Sequence, residues 1–233
     1  MVFNALEFVI FLPLVLIAYF RLRHKGQNLM LLVASYVFYG WWDYRFLALL
    51  AFTTLIDYWV GLYLGRTDDP KARKRLLLAS IVVNLAVLGF FKYFNFFVDS
   101  AGALLEDLGL SPNLPLLRVI LPVGISFYTF QSMSYAFDVY RRRLEPATSL
   151  LDFALYVAYF PQLVAGPIER AQALLPQITN PRQRPTSGQV SSGVLLMLIG
   201  LFKKVAIADV MAPIVESAFT TPEVNSSIAL FRR

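Results

Sequence analysis

Nineteen consecutive residues, Val119–Phe137 (VILPVGISFYTFQSMSYAF), carry no charge, and Arg118 and Asp138 bracket them. A helix needs about 20 apolar residues to cross the hydrocarbon core of a bilayer. In lipid every backbone N–H and C=O must find a partner inside the segment, which a helix provides by itself. Comparable apolar runs recur along the chain: Val2–Phe20, Asn28–Trp42, Phe46–Leu64 and Leu76–Val98 come before this one, and Leu151–Ile168 and Gln189–Phe202 after it. The expected fold class is therefore all-α, a polytopic transmembrane helical protein with about six to seven membrane segments, one of them broken or re-entrant.

Composition narrows the alternatives. Charged residues make up 15% and hydrophobic residues 58%, with a mean hydropathy of +0.59. Soluble domains carry about 25% charge and about 45–50% apolar residues. A net charge of +6 could suggest nucleic acid, but Lys and Arg gather in short connections between apolar runs, where they orient spans in a bilayer. No nucleic-acid partner is expected. The chain has no cysteine, which excludes disulfides, thiol chemistry and thiolate metal sites.

Those basic connections predict an orientation. With the N-terminus outward, Arg21, Arg23, Lys25, Arg66, Lys71, Arg73, Lys74, Arg75 and Arg141–Arg143 face inward, eleven in all, while only Arg45 and Arg118 face outward. This asymmetry fixes the topology of five spans. The first run lacks a basic leader and carries Glu7, so it reads as a retained span rather than a cleaved signal. Span two closes on Trp41, Trp42 and Tyr44, interfacial aromatics. Asp99–Arg118, with its SPNLP breaks, reads as a loop with one short helix.

The sixth stretch, Leu151–Ile168, resists the charge rule. If it crosses, Arg170, Arg182 and Arg184 lie outside, against the trend; Pro161, Gly166 and Pro167 break its helix and leave a re-entrant path open. The seventh stretch is expected to stop at Lys203-Lys204. Val205–Val215, with Asp209, then reads as an interfacial helix.

Polar residues inside such spans mark candidate sites, because lipid makes them expensive. Tyr128, Gln131, Ser132, Tyr135 and Asp138 share one face at about 100° per residue. That face either lines a passage or hydrogen-bonds neighbouring spans. Pro161, Gln162, Gly166, Pro167, Glu169 and Arg170 surround the break, where freed backbone groups line a cavity or make a plain turn. Asp57 lies mid-span with Thr53 and Thr54 one turn back; Asn84 and Lys92 lie on span four, with Asn95 one turn beyond Lys92. The topology puts Asp57 and Lys92 at heights differing by about 8 Å, too far for a direct pair without tilt. Gly61 and Gly65 form a GxxxG suited to close packing. The sequon at Asn225-Ser226-Ser227 is a weak match. His24, the one histidine, sits between Arg23 and Lys25 in a connection and reads as solvated.

LPVGISFYTFQSMSYAFDVYRRRLEP (121–146) followed by FPQLVAGPIER (160–170) resembles the membrane-bound O-acyltransferase (MBOAT) family, and within it the bacterial branch that acetylates exported polysaccharides such as alginate. SYVFYGWWDYRF (35–46), LGFFKYFNFF (88–97) and GLFKKVAIAD (200–209) extend the likeness in order over nearly the whole chain.

The resemblance implies that residues 1–233 are the N-terminal part of a single domain in the bacterial inner membrane, preceding its catalytic half. It implies acetyl-CoA or another acyl donor as substrate, no permanently bound cofactor or metal, and a polysaccharide acceptor reached through periplasmic acetylation proteins. Acyl transfer to a hydroxyl needs a base, commonly histidine. The family's histidine is expected after further membrane segments, so no catalytic residue is assigned in this chain. The broken helix, Asp57 and Lys92 also suit a fragment of a secondary transporter or channel. A non-catalytic membrane scaffold is the third class.

Overall fold

The computed structural model describes residues 1–109, 118–164, 166–167 and 169–220, with 218 and 220 described by their backbone. The expected tail after Thr220, its sequon, the SPNLP breaks and Ile168 lie outside the described residues. All described elements are helical: α1 (Leu6–Arg21), α2 (His24–Asp43), α3 (Arg45–Arg66), α4 (Pro70–Asp107), α5 (Ile125–Tyr140), α6 (Leu150–Ala158), α7 (Phe160–Leu163), α8 (Ala171–Thr179), α9 (Ser187–Phe202) and α10 (Asp209–Thr220), with a π-helical stretch Lys203–Ala208 joining the last two.

The chain forms two compact units: Met1 with Phe11–Arg182, and Val2–Ile10 with Gln183–Arg233. In the second, Thr186 and Gln189 form a reciprocal capping box that starts α9, pairing two orphan donors of the first turn. The helix does not stop at Lys203-Lys204, and residues 205–215 are no separate interfacial helix. No Pro or Gly interrupts Leu201–Ala212, so the backbone runs on through one widened turn. The i+5 spacing of that turn brings Lys204 onto Asp209 as an ion pair.

In the first unit, α5 packs against α3 and α4, and α6 against α2, α3 and α8. Asp69 caps α4 by accepting from the Lys71 and Ala72 N–H groups at 3.1 Å, and Pro70 occupies the first turn, where its missing N–H costs nothing. α4 runs on to Asp107, so the helix expected within Asp99–Arg118 is the continuation of α4 rather than a separate short one. Its residues DSAGALLED contain no proline, and the helix ends at Gly109 with φ +74°. The uncharged run at 119–137 is helical only from Ile125: Pro122 and the left-handed Gly124 (φ +77°) hold its first six residues out of the helix.

Large apolar side chains cover the outside, among them Trp41, Trp59, Phe90, Phe96 and Phe97. Such an exterior suits lipid rather than water. α3 and α4 are each long and apolar enough to cross a membrane. At 38 residues α4 is about 57 Å long, so it overhangs a hydrocarbon core of about 30 Å.

Two sets of side-chain bonds fix the register. Arg73 donates Nη1 to the carbonyls of Leu64 and of Thr67 (3.0 Å), and Nη2 to those of Val139 (3.1 Å) and Tyr140 (2.9 Å). The start of α4 thus meets the ends of α3 and α5 at one level. At the other end Asn95 holds Val119 from both sides, donating to its C=O at 2.8 Å and accepting from its N–H at 2.9 Å. α3, α4 and α5 therefore alternate in direction.

Between Leu150 and Thr179 the chain makes a hairpin. Asn28 Nδ2 donates to Asp152 Oδ1 (2.7 Å) and to Ile178 O (3.0 Å), and His24 Nε2 lies 2.9 Å from that same carbonyl. α8 therefore ends where α6 begins, beside the start of α2.

Candidate functional site

α5 carries its polar face into protein. Tyr128, Gln131, Ser132 and Tyr135 are buried and Asp138 is half-buried. Gln131 Nε2 donates to Tyr156 O at 2.7 Å, and the Tyr156 hydroxyl donates back to Gln131 O at 3.3 Å. Helix α6 stops at Ala158, so Tyr156 O lacks an intrahelical partner, and Gln131 supplies one. Tyr135 Oη accepts the N–H of Ala147 at 2.9 Å, and Tyr58 donates to Thr148 O at 2.9 Å. Together they draw the connection into α6 against α3 and α5.

The break itself is held from three directions. Phe160 N–H, freed by the kink at Tyr159, donates to Ser35 Oγ at 3.1 Å. Gln162 Nε2 donates to Gln131 Oε1 (3.3 Å) and to Pro167 O (3.0 Å), tying the turn that contains Gly166 back to α5. Gly124 lies so close to Leu163 that a Cβ there would sit 2.6 Å from its carbonyl oxygen. Pro161, Pro167, Glu169 and Arg170 are exposed, and Arg170 is the residue from which α8 starts. The structure thus joins Gln131, Tyr135, Gln162, Gly166 and Pro167 in one assembly, with the charged pair Glu169-Arg170 facing outward from its tip.

A second polar layer lies two helical turns from Arg73. Asp57 is fully buried; Ser80 Oγ donates to its Oδ1 at 2.6 Å and Asn84 Nδ2 to both oxygens at 2.9–3.0 Å. Thr53 and Thr54 are not its partners; their hydroxyls return to Leu49 and Leu50 carbonyls on α3. Lys92 does not approach it either: that side chain is exposed, with its Nζ 5.5 Å from the Tyr93 ring. Tyr39 and Tyr128 turn their hydroxyls toward one another across α2 and α5.

Gly61 and Gly65 serve close packing as expected, against α5 and the connection rather than a second glycine helix. A Cβ on Gly61 would meet the Tyr135 ring, 2.7 Å from Cε1, and one on Gly65 would meet Pro146. His24 is not simply solvated: it is half-buried and bonded to Ile178 O. Among the described residues no three His, Cys, Asp or Glu side chains come together to hold a metal. Two open apolar grooves share Tyr36: one of about 410 Å³ lined by α2 and the start of α3, the other of about 340 Å³ lined by α2, α3 and α6. In the connection between α2 and α3, Arg45 hydrogen-bonds the Asp43 carboxylate and holds its pKa below the usual range.

Sequence reasoning missed Arg73, Ser35, Asn28 and Tyr156. Arg73 is one of five basic residues in RTDDPKARKR and looks no different from its neighbours. Ser35 and Asn28 are small polar residues in an apolar run, a signal that was present but unranked.

A model of the membrane-bound O-acyltransferase family matches residues 5–233. A probable alginate O-acetylase of Pseudomonas putida is 45% identical over 221 residues, covering 94% of this chain and 45% of that protein. Its counterpart in Azotobacter vinelandii is 42% identical over 94% of this chain and 44% of that protein. A peptidoglycan O-acetyltransferase of Helicobacter pylori is 33% identical over 94% of this chain and 46% of that protein. The chain therefore spans less than half the length of these relatives. No solved structure matches it.

Proposed function

The chain belongs to the membrane-bound O-acyltransferase family, and from that membership we propose that the complete protein moves an acetyl group from acetyl-CoA to hydroxyls of an exported polysaccharide. The donor is taken on the cytoplasmic side of the bacterial inner membrane. The acceptor is alginate or a similar chain, served by periplasmic acetylation proteins. Two kinds of relative support the class of acceptor: alginate O-acetylases and a peptidoglycan O-acetyltransferase. The same membership favours transfer over the transporter, channel and scaffold alternatives.

In this reading α1–α5 cross the bilayer from an outward N-terminus, and α6–α8 form a re-entrant hairpin. The hairpin enters and leaves at the end that carries Arg66–Arg75 and Arg141–Arg143, because Asn28 joins Asp152 and Ile178 there. Arg182 then stays on the basic side, its guanidinium 5.7 Å from the Tyr19 ring at the end of α1, and the positive-inside conflict disappears. From Tyr140 up to Gln131 is about 14 Å of helix rise, and up to Gly124 about 24 Å. The turn at Gln162–Pro167 thus reaches well into the hydrocarbon.

A turn at that depth is tolerated only against protein or a water-filled space. The observation that carries the proposal is the Gln131–Gln162–Pro167 tie, which holds the turn on α5 while Glu169 and Arg170 point away. We assign Gln131, Tyr135 and Asp138, with Pro161–Arg170, to the wall of the acyl-transfer passage, while Tyr128 and Ser132 turn toward α2 and α3. Theirs is a positioning role, and His24 has an architectural one. Proton transfer is assigned to residues outside this chain.

The test uses inner membranes with the full-length protein, its periplasmic partners, polysaccharide and radiolabelled acetyl-CoA. Label should reach the polysaccharide, and Gln162→Leu should slow it about tenfold, the usual scale of a misplaced group, at equal protein level. Membranes with residues 1–233 alone should transfer nothing. An unchanged rate in Gln162→Leu removes the passage, and turnover by 1–233 alone removes the division of labour.

A further inference from the structure

We propose that the layer around Asp57 is a binding site for a small monovalent cation, sodium, held by oxygen atoms from α3, α4 and α5. The acyl-transfer reading does not use this layer and the inference does not depend on it.

The first ground is charge. The Asp57 carboxylate has no solvent access, and its contacts are the neutral groups Ser80 and Asn84. A buried carboxylate is costly unless a positive charge meets it. Neither of the nearest basic candidates does. Arg73 is committed to four carbonyls two turns away, and Lys92 is exposed over Tyr93.

The second ground is the ligand set. Ser132 Oγ faces Asp57 from α5. It is fully buried, and Asn84 Oδ1 is buried with no hydrogen bond among the described residues. Amide O and N can be exchanged by rotating the last torsion of Asn84, which turns an oxygen toward the carboxylate. Two carboxylate oxygens, Ser80 Oγ, Ser132 Oγ and Asn84 Oδ1 then make five hard oxygen donors, the chemistry that alkali and alkaline-earth cations prefer over transition metals. One carboxylate carries one negative charge, so a monovalent ion balances it and a divalent ion would leave an excess. The third ground is register. Asp57, Ser80 and Ser132 each lie seven residues from Leu64, Arg73 and Val139, the residues joined by the Arg73 clamp. Two turns of all three helices are therefore built to bring these oxygens to one height. Thr129 Oγ1, also buried and with no hydrogen bond among the described residues, continues the polar line one turn further along α5.

The experiment measures the apparent unfolding midpoint of the detergent-purified chain by tryptophan fluorescence. Sodium chloride is titrated into choline chloride at constant ionic strength, with potassium chloride in parallel. Saturating sodium should raise the midpoint by about 5 °C, the shift expected when a ligand binds only the folded state at about a hundred times its Kd. Potassium should do much less. Asp57→Asn should abolish the response. Ser132→Ala keeps the carboxylate and removes one ligand; it should raise the sodium concentration for half effect about tenfold, and it remains informative if Asp57→Asn does not fold. Equal midpoints in sodium and choline, a response that survives Asp57→Asn, or a midpoint that follows pH with no preference among the cations would each overturn the site.

Discussion

Replacing Arg73 with alanine should be the most damaging single change at the basic end of the helices. Arg73 is 7% exposed, and its guanidinium donates to four backbone carbonyls, two at the end of α3 and two at the end of α5. These carbonyls belong to the last turns and their exits, where a helix has few partners of its own and concentrates negative partial charge. Four hydrogen bonds at a net of about 0.5–1.5 kcal/mol each give a loss of about 2–6 kcal/mol, the upper part reached because the donor is charged and buried. For a chain of this size about 4 kcal/mol moves a thermal midpoint by roughly 8–16 °C. The assay is the fraction of protein that stays monodisperse on size exclusion after heating in detergent. Arg73→Lys should recover less than half the loss, since an ammonium is a compact point donor that cannot fork across two helix ends. Arg142→Ala is the control. It removes an ion pair with Asp68 whose side chains are 65% and 90% exposed, and such pairs contribute little after solvent screening, about 0.5 kcal/mol or less. The reasoning fails if Arg73→Ala melts within about 2 °C of the parent, or if Arg142→Ala is as harmful.

Gly124→Ala puts a side chain on a left-handed residue and drives a Cβ against Leu163 O. It should destabilise by about 1–3 kcal/mol and open the hairpin to protease, so an unchanged digestion pattern would count against the contact. Because the chain has no cysteine, single cysteines report topology cleanly: Arg142→Cys and Arg182→Cys should react with a membrane-impermeant maleimide from the cytoplasmic side, and Tyr44→Cys from the opposite side. Labelling of Arg182→Cys from outside would dismiss the re-entrant hairpin. Arg45 lowers the Asp43 pKa in the folded state, so their interaction is fully present above the ordinary carboxylate range and is lost as pH falls through the lowered value. Asp43→Asn should therefore lower stability slightly at pH 7, flatten the acid limb of a stability–pH curve and converge with the parent once pH falls below the lowered value; a difference that persists in acid would speak against it. Gln131→Leu and Gln162→Leu should each cost about 1–3 kcal/mol and be non-additive by at least about 0.5 kcal/mol in a double-mutant cycle; strict additivity would mean the 3.3 Å contact between them carries nothing.

Much of this fold is written locally. Apolar runs locate α2 and α3 to within about four residues, since backbone pairing in lipid leaves them little choice, whereas the run at 119–137 starts six residues before α5 does. The i, i+3, i+4, i+7 placement of Tyr128, Gln131, Ser132 and Tyr135 predicts a shared face, and three of the four join hydrogen-bonded or facing pairs across helices. What stayed illegible is relational. Ser80 and Asn84 become partners of Asp57 only once α4 is registered on α3, and Arg73 sets that register from within a string of like charges. Lys92 looked like a functional charge because its position along α4 is known from sequence, whereas its direction around the helix is not. The sixth stretch could not be oriented by counting arginines. The contact on which the proposed re-entrant path rests, Asn28 with Asp152 and Ile178, spans more than 120 residues.

The polar face of α5 turns out to serve two separate structures. Gln131 and Tyr135 look toward α6–α8 and complete backbone groups that the broken helix and its connection leave unpaired. Ser132 and Tyr128 look toward α3 and α2, at Asp57 and Tyr39. Adjacent positions on one helix are about 100° apart, so a single 16-residue helix divides a hydrogen-bonded hairpin from a buried carboxylate without a charge of its own before Asp138. That division explains why the run is far more polar than a lipid anchor needs while staying uncharged. Neutral donors and acceptors can be satisfied on both sides by backbone carbonyls and amides, whereas a lysine or glutamate at the same depth would need its own counter-charge in each direction. It also separates what perturbations should do: changes at Gln131 should be felt at Gly166 and Pro167, and changes at Ser132 at Asp57, with little crossing between the two.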